Sequence, residues 1–268
     1  MSEDFGLPIS HRQRLWLYCL GGLVLLFLIA PSIIIVIMSF SDSTLLQFPP
    51  RQWSLRWYSN FFASASWVQA AATSFKAATL TALVATPLGT MAAYGLAASR
   101  FRAARAVHVL LIMPMIVPVI LIAVAVFYVY VKAKLNNSLA GLVLAHAMLA
   151  VPLVVIVVTS ALKTFDANQE MVARSLGASR PRAFILVTLP QIRFAVVSAA
   201  LLSFLTSFDE VILALFVSGG ANSTLTRNMF MALRDQIDPT IAAISTMMIV
   251  VTSVLFALTQ VLGRARNA

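Results

Sequence analysis

Long uncharged stretches separated by short charged ones set the pattern of this chain. A helix needs about 20 apolar residues to cross a bilayer. Leu15–Phe40, Ala77–Ser99, Ala106–Val131, Leu135–Leu162 and Pro239–Gly263 meet that length without a charge. The second run is expected to begin earlier, near Trp67, with Lys76 reaching out to the interface. Phe194–Val217 is also long enough, but Asp209 and Glu210 interrupt it. The pattern therefore predicts an all-α integral membrane protein with six transmembrane helices. The first run is too long for the core of a cleaved leader, about 7–15 residues, and is expected to stay as a membrane helix.

Charge placement gives an orientation. Alternating crossings put Arg12, Arg14, Arg100, Arg102, Arg105, Lys163, Arg174, Arg180, Arg182, Arg193, Arg264 and Arg266 on one side. Arg51, Arg56, Lys132, Lys134, Arg227 and Arg234 fall on the other. Lys and Arg accumulate in cytoplasmic loops. Both termini are thus expected in the cytoplasm, with the segment from Glu170 to Ile192. The two sizeable outer segments are Ser41–Ser66, with Trp53, Trp57 and Tyr58, and Ser218–Asp238, with Gly219-Gly220. The first reads as a turn plus an interfacial aromatic helix, the second as a loop with a short helix.

Prolines punctuate the apolar runs, most densely in "MPMIVP", Met113–Pro118. Each removes a backbone donor and favours a kink. The second run is rich in small residues, which let helices approach closely.

Composition agrees with a bilayer as solvent. The chain of 268 residues is 60% hydrophobic and 10% charged, where a soluble domain carries about 25% charged residues. The net charge of +10 sits in clusters between apolar runs, not on a basic stripe with interleaved aromatics, so nucleic acid is excluded as a partner. The single cysteine, Cys19, permits no intrachain disulfide. His108 and His146 have no metal-ligand spacing, and no nucleophile–base pair occurs, so neither a metal site nor a catalytic residue is expected.

The cytoplasmic segment "EMVARSLGASRPRAFILVTLPQI" carries the most specific signal. Met171, Val172 and Leu176 fall at helical spacing, and Gly177 suits a helix stop. Arg180-Pro181-Arg182 restarts the chain, Ala183–Leu189 forms a second amphipathic run, and Pro190 opens the next membrane helix. Two short helices bent around a glycine are expected, with an apolar stripe that wants a partner groove.

Gly177, Val187 and Leu189-Pro190 resemble the "EAA" loop of type I ABC importer permeases. That motif reads E-A-A, three residues, G, nine residues, I-x-L-P. The resemblance extends from about Ser74 to the C-terminus and takes in Ser203–Gly219 and Ile237–Val250. Those two stretches look most like permeases of the spermidine/putrescine group. The resemblance implies the type I permease fold with a cytoplasmic coupling helix docked on a separate ATPase. Glu170, Met171, Val172, Ala173, Arg174, Ser175, Leu176, Gly177 and Ala178 would form that docking segment. One departure stands out. Counting back from Gly177, the motif's glutamate falls on Met171 and its alanines on Val172 and Ala173. Glu170 either serves from about 100° round the helix, or the contact has become apolar.

The resemblance also implies an ABC ATPase dimer, a second permease making a heterodimer, and a periplasmic solute-binding protein, all at a bacterial inner membrane. The domain plan that follows is 1–66 (N-terminus, first helix, outer segment), 67–263 (five-helix transmembrane domain with the coupling loop at 164–190) and a tail at 264–268. The first helix would wrap the partner permease. No G-x-x-x-x-G-K-[ST] occurs in the chain, so no cofactor is expected on it. ATP and Mg²⁺ would sit on the ATPase.

Asp209 and Glu210 remain. A charge at bilayer depth costs about 2.5–3.5 kcal/mol on insertion scales, so such residues face a water-filled path or a partner. A cationic cargo such as a polyamine would need acids, with aromatic faces for its methylenes and ammonium groups. Phe127, Tyr128 and Tyr130 are the aromatic candidates. Asp209 and Glu210 point about 100° apart, so both are not expected to face the path. The pair could instead cap a helix break or meet Arg227 or Arg234. An alternative function is a stand-alone secondary transporter driven by an ion gradient, which inverted repeats would support; no convincing repeat occurs. A membrane scaffold would not need acids within a helix.

Overall fold

The computed structural model describes residues 14–99, 102–235 and 238–264, with side chains described to residue 257. Arg12, Arg100 and Arg266, used above for orientation, lie outside the described residues, as does the side chain of Arg264. Among the described residues regular structure is helical, save one isolated antiparallel bridge between Ser41 and Trp53. The chain forms two compact units, residues 1–61 with 237–250 and residues 62–236 with 251–268.

The first unit begins with α1, Leu15–Met38, which buries none of its residues within the chain. A helix apolar all round is suited to lipid or to another apolar helix. The turn after it is tied to α2, Arg56–Ala63. Ser39 Oγ donates to the Val36 carbonyl at 2.6 Å, which leaves its lone pair for the Tyr58 hydroxyl at 2.7 Å. The Trp57 indole donates to the Ser43 carbonyl at 3.2 Å. Asn60 donates to Thr240 Oγ1 at 2.9 Å, at the start of α12, Thr240–Arg264. A short aromatic helix expected in this segment is therefore present, with Trp57 and Tyr58 hydrogen-bonded.

The second unit is built on three long helices. They are α3, Ala65–Ala97; α6, Leu139–Thr164; and α9, Leu189–Phe208. Ser64 and Ser138 cap the first two, accepting from the amides of Trp67 and Gly141. Apart from Trp67 at its start, the face that α3 buries is made of small residues: Ala70, Thr73, Ala77, Thr81, Ala85, Gly89 and Ala93 among them. They bring α3 close to α6. A Cβ added at Gly89 would lie 2.6 Å from Val154 Cβ, closer than atoms can pack. Ala85, Ala93, Ala150, Val154, Val158, Ile192 and Ala199 fill the space between the three helices.

The third run departs from the single span expected over Ala106–Val131. It is two helices, α4, Ala104–Ile112, and α5, Val119–Ala133, bent by 95° at the break. The proline-dense motif does this. Pro118 has an extended ψ of 126° and biases Val117 away from the helical region. Among the described residues five helices are long and apolar enough to cross a membrane singly, and this bent pair is a sixth candidate.

The expectation of two separate short helices before Pro190 is also corrected. α7, Ala167–Ser175, is separate, but α8, Arg180–Ala183, runs through a π turn at Phe184–Thr188 into α9. The Leu189 amide donates to the Phe184 carbonyl, five residues back. Pro190 sits inside this continuous 29-residue run. The shifted bonding of the π turn accommodates its missing donor. After α9 the chain breaks at Asp209-Glu210. It continues through α10, Ile212–Val217, and α11, Leu225–Asp235.

Candidate functional site

Two polar places stand out in the second unit: the loop at α7, and the break after α9.

Asp166 begins α7 by accepting from the Asn168 amide at 3.0 Å. At the other end the Gly177 amide donates to the Arg174 carbonyl, and the Ala178 amide to the Ala173 carbonyl. Gly177 has φ +93°. This pair of bonds around a left-handed residue is a Schellman stop, and glycine meets its backbone demand without strain. Gly177 thus fixes the angle at which the chain leaves α7.

Glu170 faces inward from α7. The Tyr94 hydroxyl, near the end of α3, donates to Oε1 at 2.6 Å. The Thr188 hydroxyl, last in the π turn, donates to Oε2 at 2.7 Å. The Tyr94 ring packs against Phe184, tilted by 48° with centroids 4.5 Å apart. Around this pair, Gln191 donates to Gln169, and Arg180 reaches the Ala98 carbonyl at 3.4 Å. The apolar residues of α7 point elsewhere. Met171 is 54% exposed, Val172 60% and Leu176 84%. Val172 and Leu176 are one turn apart and lie well round the helix from Glu170. Arg174, Ser175 and Gly177 are exposed, and Ala173 and Ala178 are half-buried. Of the nine predicted docking residues, then, one is turned in and an apolar face is turned out.

At the break after α9 the two acids part. Asp209 is exposed. Glu210 folds back over the start of α10, accepting from the Ile212 amide through Oε1 and the Ala214 amide through Oε2, both at 3.1 Å. These are orphan donors of a helix start, which a carboxylate satisfies well. The Thr226 hydroxyl, on α11, donates to the Glu210 carbonyl at 2.8 Å. Neither Arg227 nor Arg234 meets the acid pair among the described residues. Arg227 donates to Ser223, and Arg234 lies 3.5 Å from Asp235.

Sequence reasoning set His146 aside as structural. The structure buries it to 1% exposure, with Nδ1 2.7 Å from Ser207 Oγ, which itself donates to Thr81 at 3.2 Å. Its Nε2 lies 4.0 Å from Glu210 Oε2. A polar thread thus runs from α3 through α9 and α6 to the break. No sequence spacing connects these residues.

The aromatic candidates lie on α5. Phe127 meets Phe216 of α10 edge-on at 6.4 Å. Tyr130 packs against the cluster that includes Leu213 and Ala214. The aromatic end of α5 is therefore joined to the helix that Glu210 starts. Tyr128 is exposed, with the Lys132 ammonium 4.6 Å above its ring. No group of three or more His, Cys, Asp or Glu able to hold a metal occurs among the described residues.

Comparison with known proteins gives a consistent result. Residues 85–267 match the family described as binding-protein-dependent transport system inner membrane component. The spermidine/putrescine transport system permease protein PotC of Haemophilus influenzae is 33% identical over 90% of this chain and 93% of its own. The putrescine transport system permease protein PotI of Escherichia coli K12 is 30% identical over 83% and 82%. In fold, the chain is similar to a chain of a bacterial ABC transporter involved in import of the acidic polysaccharide alginate. The TM-score is 0.75 at 15% identity, over 96% of this chain and 99% of that one.

Proposed function

The chain belongs to the family of binding-protein-dependent transport system inner membrane components, and on that premise we propose that its cargo is a polyamine, spermidine or putrescine, or a related small cationic solute. It is the membrane-spanning permease of an ABC importer and not an enzyme. The cargo reading rests on the two relatives named for polyamines, each matched along most of its length. In this reading Asp209, exposed at the break, meets the cargo's ammonium groups, and the aromatic rings of Phe127, Tyr128 and Tyr130 border the path. Glu210 keeps the break open from behind.

The working assembly pairs this chain with a sister permease over an ABC ATPase dimer, which holds the ATP and Mg²⁺. A periplasmic solute-binding protein delivers cargo, and both termini face the cytoplasm. Residues 1–66 flank a transmembrane domain over 67–263, whose coupling loop is 164–190. Closure of the ATPases displaces α7, and the membrane helices follow. The observation that carries the coupling reading is the outward apolar face of Met171, Val172 and Leu176 on a helix with a fixed exit. An apolar contact takes the place of one made through the motif's glutamate.

The test is affinity purification in mild detergent, followed by identification of the co-eluting proteins and by putrescine uptake in proteoliposomes. A P-loop ATPase and a second permease in comparable amounts are expected, with uptake that requires ATP. A folded chain that elutes alone and moves putrescine on an ion gradient would overturn the reading.

A further inference from the structure

We infer that Glu170 is a positioning residue whose work is internal: it clamps α7 to the cytoplasmic ends of α3 and α9, so that displacement of the loop is passed to both membrane helices at once. The inference rests on the coupling reading of α7 given above.

The geometry points this way on three grounds. First, both carboxylate oxygens are already engaged, at 2.6 and 2.7 Å, by hydroxyls from two different elements. Hydrogen bonds to a charged acceptor are stronger than neutral ones. A carboxylate held so is poorly placed to reach a basic residue on another protein. Second, Thr188 is fully buried. Loss of its acceptor would leave a buried hydroxyl unpaired, so the contact is built into the packing. Third, the contact is reinforced from both sides, by Tyr94 on Phe184 and by Gln191 on Gln169. Without Glu170, α7 would remain linked to α6 through Phe165 and Asp166, to α8 through the turn at residues 176–179, and to α9 through the exposed Gln191–Gln169 bond, and none of these reaches α3. The side-chain clamp is what makes α7 move with α3.

The test uses the assembled transporter with Glu170→Ala, Glu170→Gln and the double variant Tyr94→Phe/Thr188→Val. Three quantities are read: ATPase recovered with the permease, putrescine moved per ATP hydrolysed, and the distance between spin labels at Ala97 and Ser175 in a chain lacking Cys19. Wild type is expected to hold one narrow label distance with and without trapped nucleotide. Glu170→Ala should recover the ATPase in full and hydrolyse ATP. It should move at least about tenfold less putrescine per ATP, since two bonds to a charged acceptor are lost, each worth a factor of about ten or more, and its label distance should broaden. The double variant should reproduce this, and it serves in place of Glu170→Ala if that chain is not recovered folded. Glu170→Gln, which keeps one acceptor, should fall between. Loss of the ATPase from Glu170→Ala would place Glu170 at the partner and overturn the inference, as would an unchanged label distance. A wild-type complex without an ATPase would sink the coupling reading itself. A wild type that ignores putrescine touches only the cargo, and the label distance then decides.

Discussion

Glu170 and Glu210 stand at the two ends of α9, about 30 Å apart along its 20 residues, and they are held by different kinds of donor. Glu210 accepts from two backbone amides of the helix that directly follows it. Glu170 accepts from two side chains, one 76 residues away and the other 18. A carboxylate on its own backbone shapes the chain locally and leaves other elements free. A carboxylate on distant hydroxyls ties elements together. The first suits a fixed local bend between two helices, the second a joint that makes separate elements move together.

Substitutions can separate the two roles. Replacing Glu170 with alanine should have the largest effect on the loop, about 1.5–3 kcal/mol for each of the two bonds to the charged group. Amide exchange should rise throughout Ala167–Ser175 while the amides of Ile212 and Ala214 stay protected. Glu210→Ala should lower stability by about 0.5–2 kcal/mol, the range for loss of a helix cap. Faster exchange should then be confined to the first turn of α10, with α7 unaffected. Faster exchange at both places in either variant would break the comparison. A double-mutant cycle sharpens it further. Tyr94 and Thr188 lie on different elements and both bond Glu170, so Tyr94→Phe and Thr188→Val should couple by about 0.5 kcal/mol or more in thermal unfolding. Strict additivity would mean that the carboxylate does not join them. Smallest of all, Met171→Ala with Val172→Ala should shift stability by no more than about 0.5 kcal/mol, as for exposed positions. The same pair should weaken recovery of the ATPase, which separates the outward face of α7 from its inward one.

Most spans were legible because they contain long runs without charge, and the loop because a glycine and a proline stand at fixed spacing. The interruption at Asp209-Glu210 was legible too, with a capped break among its expected explanations. The inward turn of Glu170 was not. Its partners are a tyrosine in a run of small apolar residues and a threonine two residues before a proline, and neither pattern announces a contact between them. The available signal was weak: a phenol near the end of a membrane helix, where a hydroxyl needs a partner. The sharp bend in the third run was half legible. Pro114 and Pro118 marked the place, but periodicity carries no angle. His146 read as structural, and its thread to Ser207 and Thr81 spans three helices, beyond any local window.

The π turn at Phe184–Thr188 acts as a phase shifter. One surplus residue wound into α9 re-indexes everything upstream of it by about one residue's rotation, near 100°. Deleting a single residue there would rewind the turn as ordinary helix. Thr188 would then keep its helix but lose its bearing toward Glu170. The loop would arrive at the membrane out of phase by a quarter turn, with every side chain still present. Handedness of contact in this region is thus stored as a count of residues, and an insertion or deletion of one would matter more here than most substitutions.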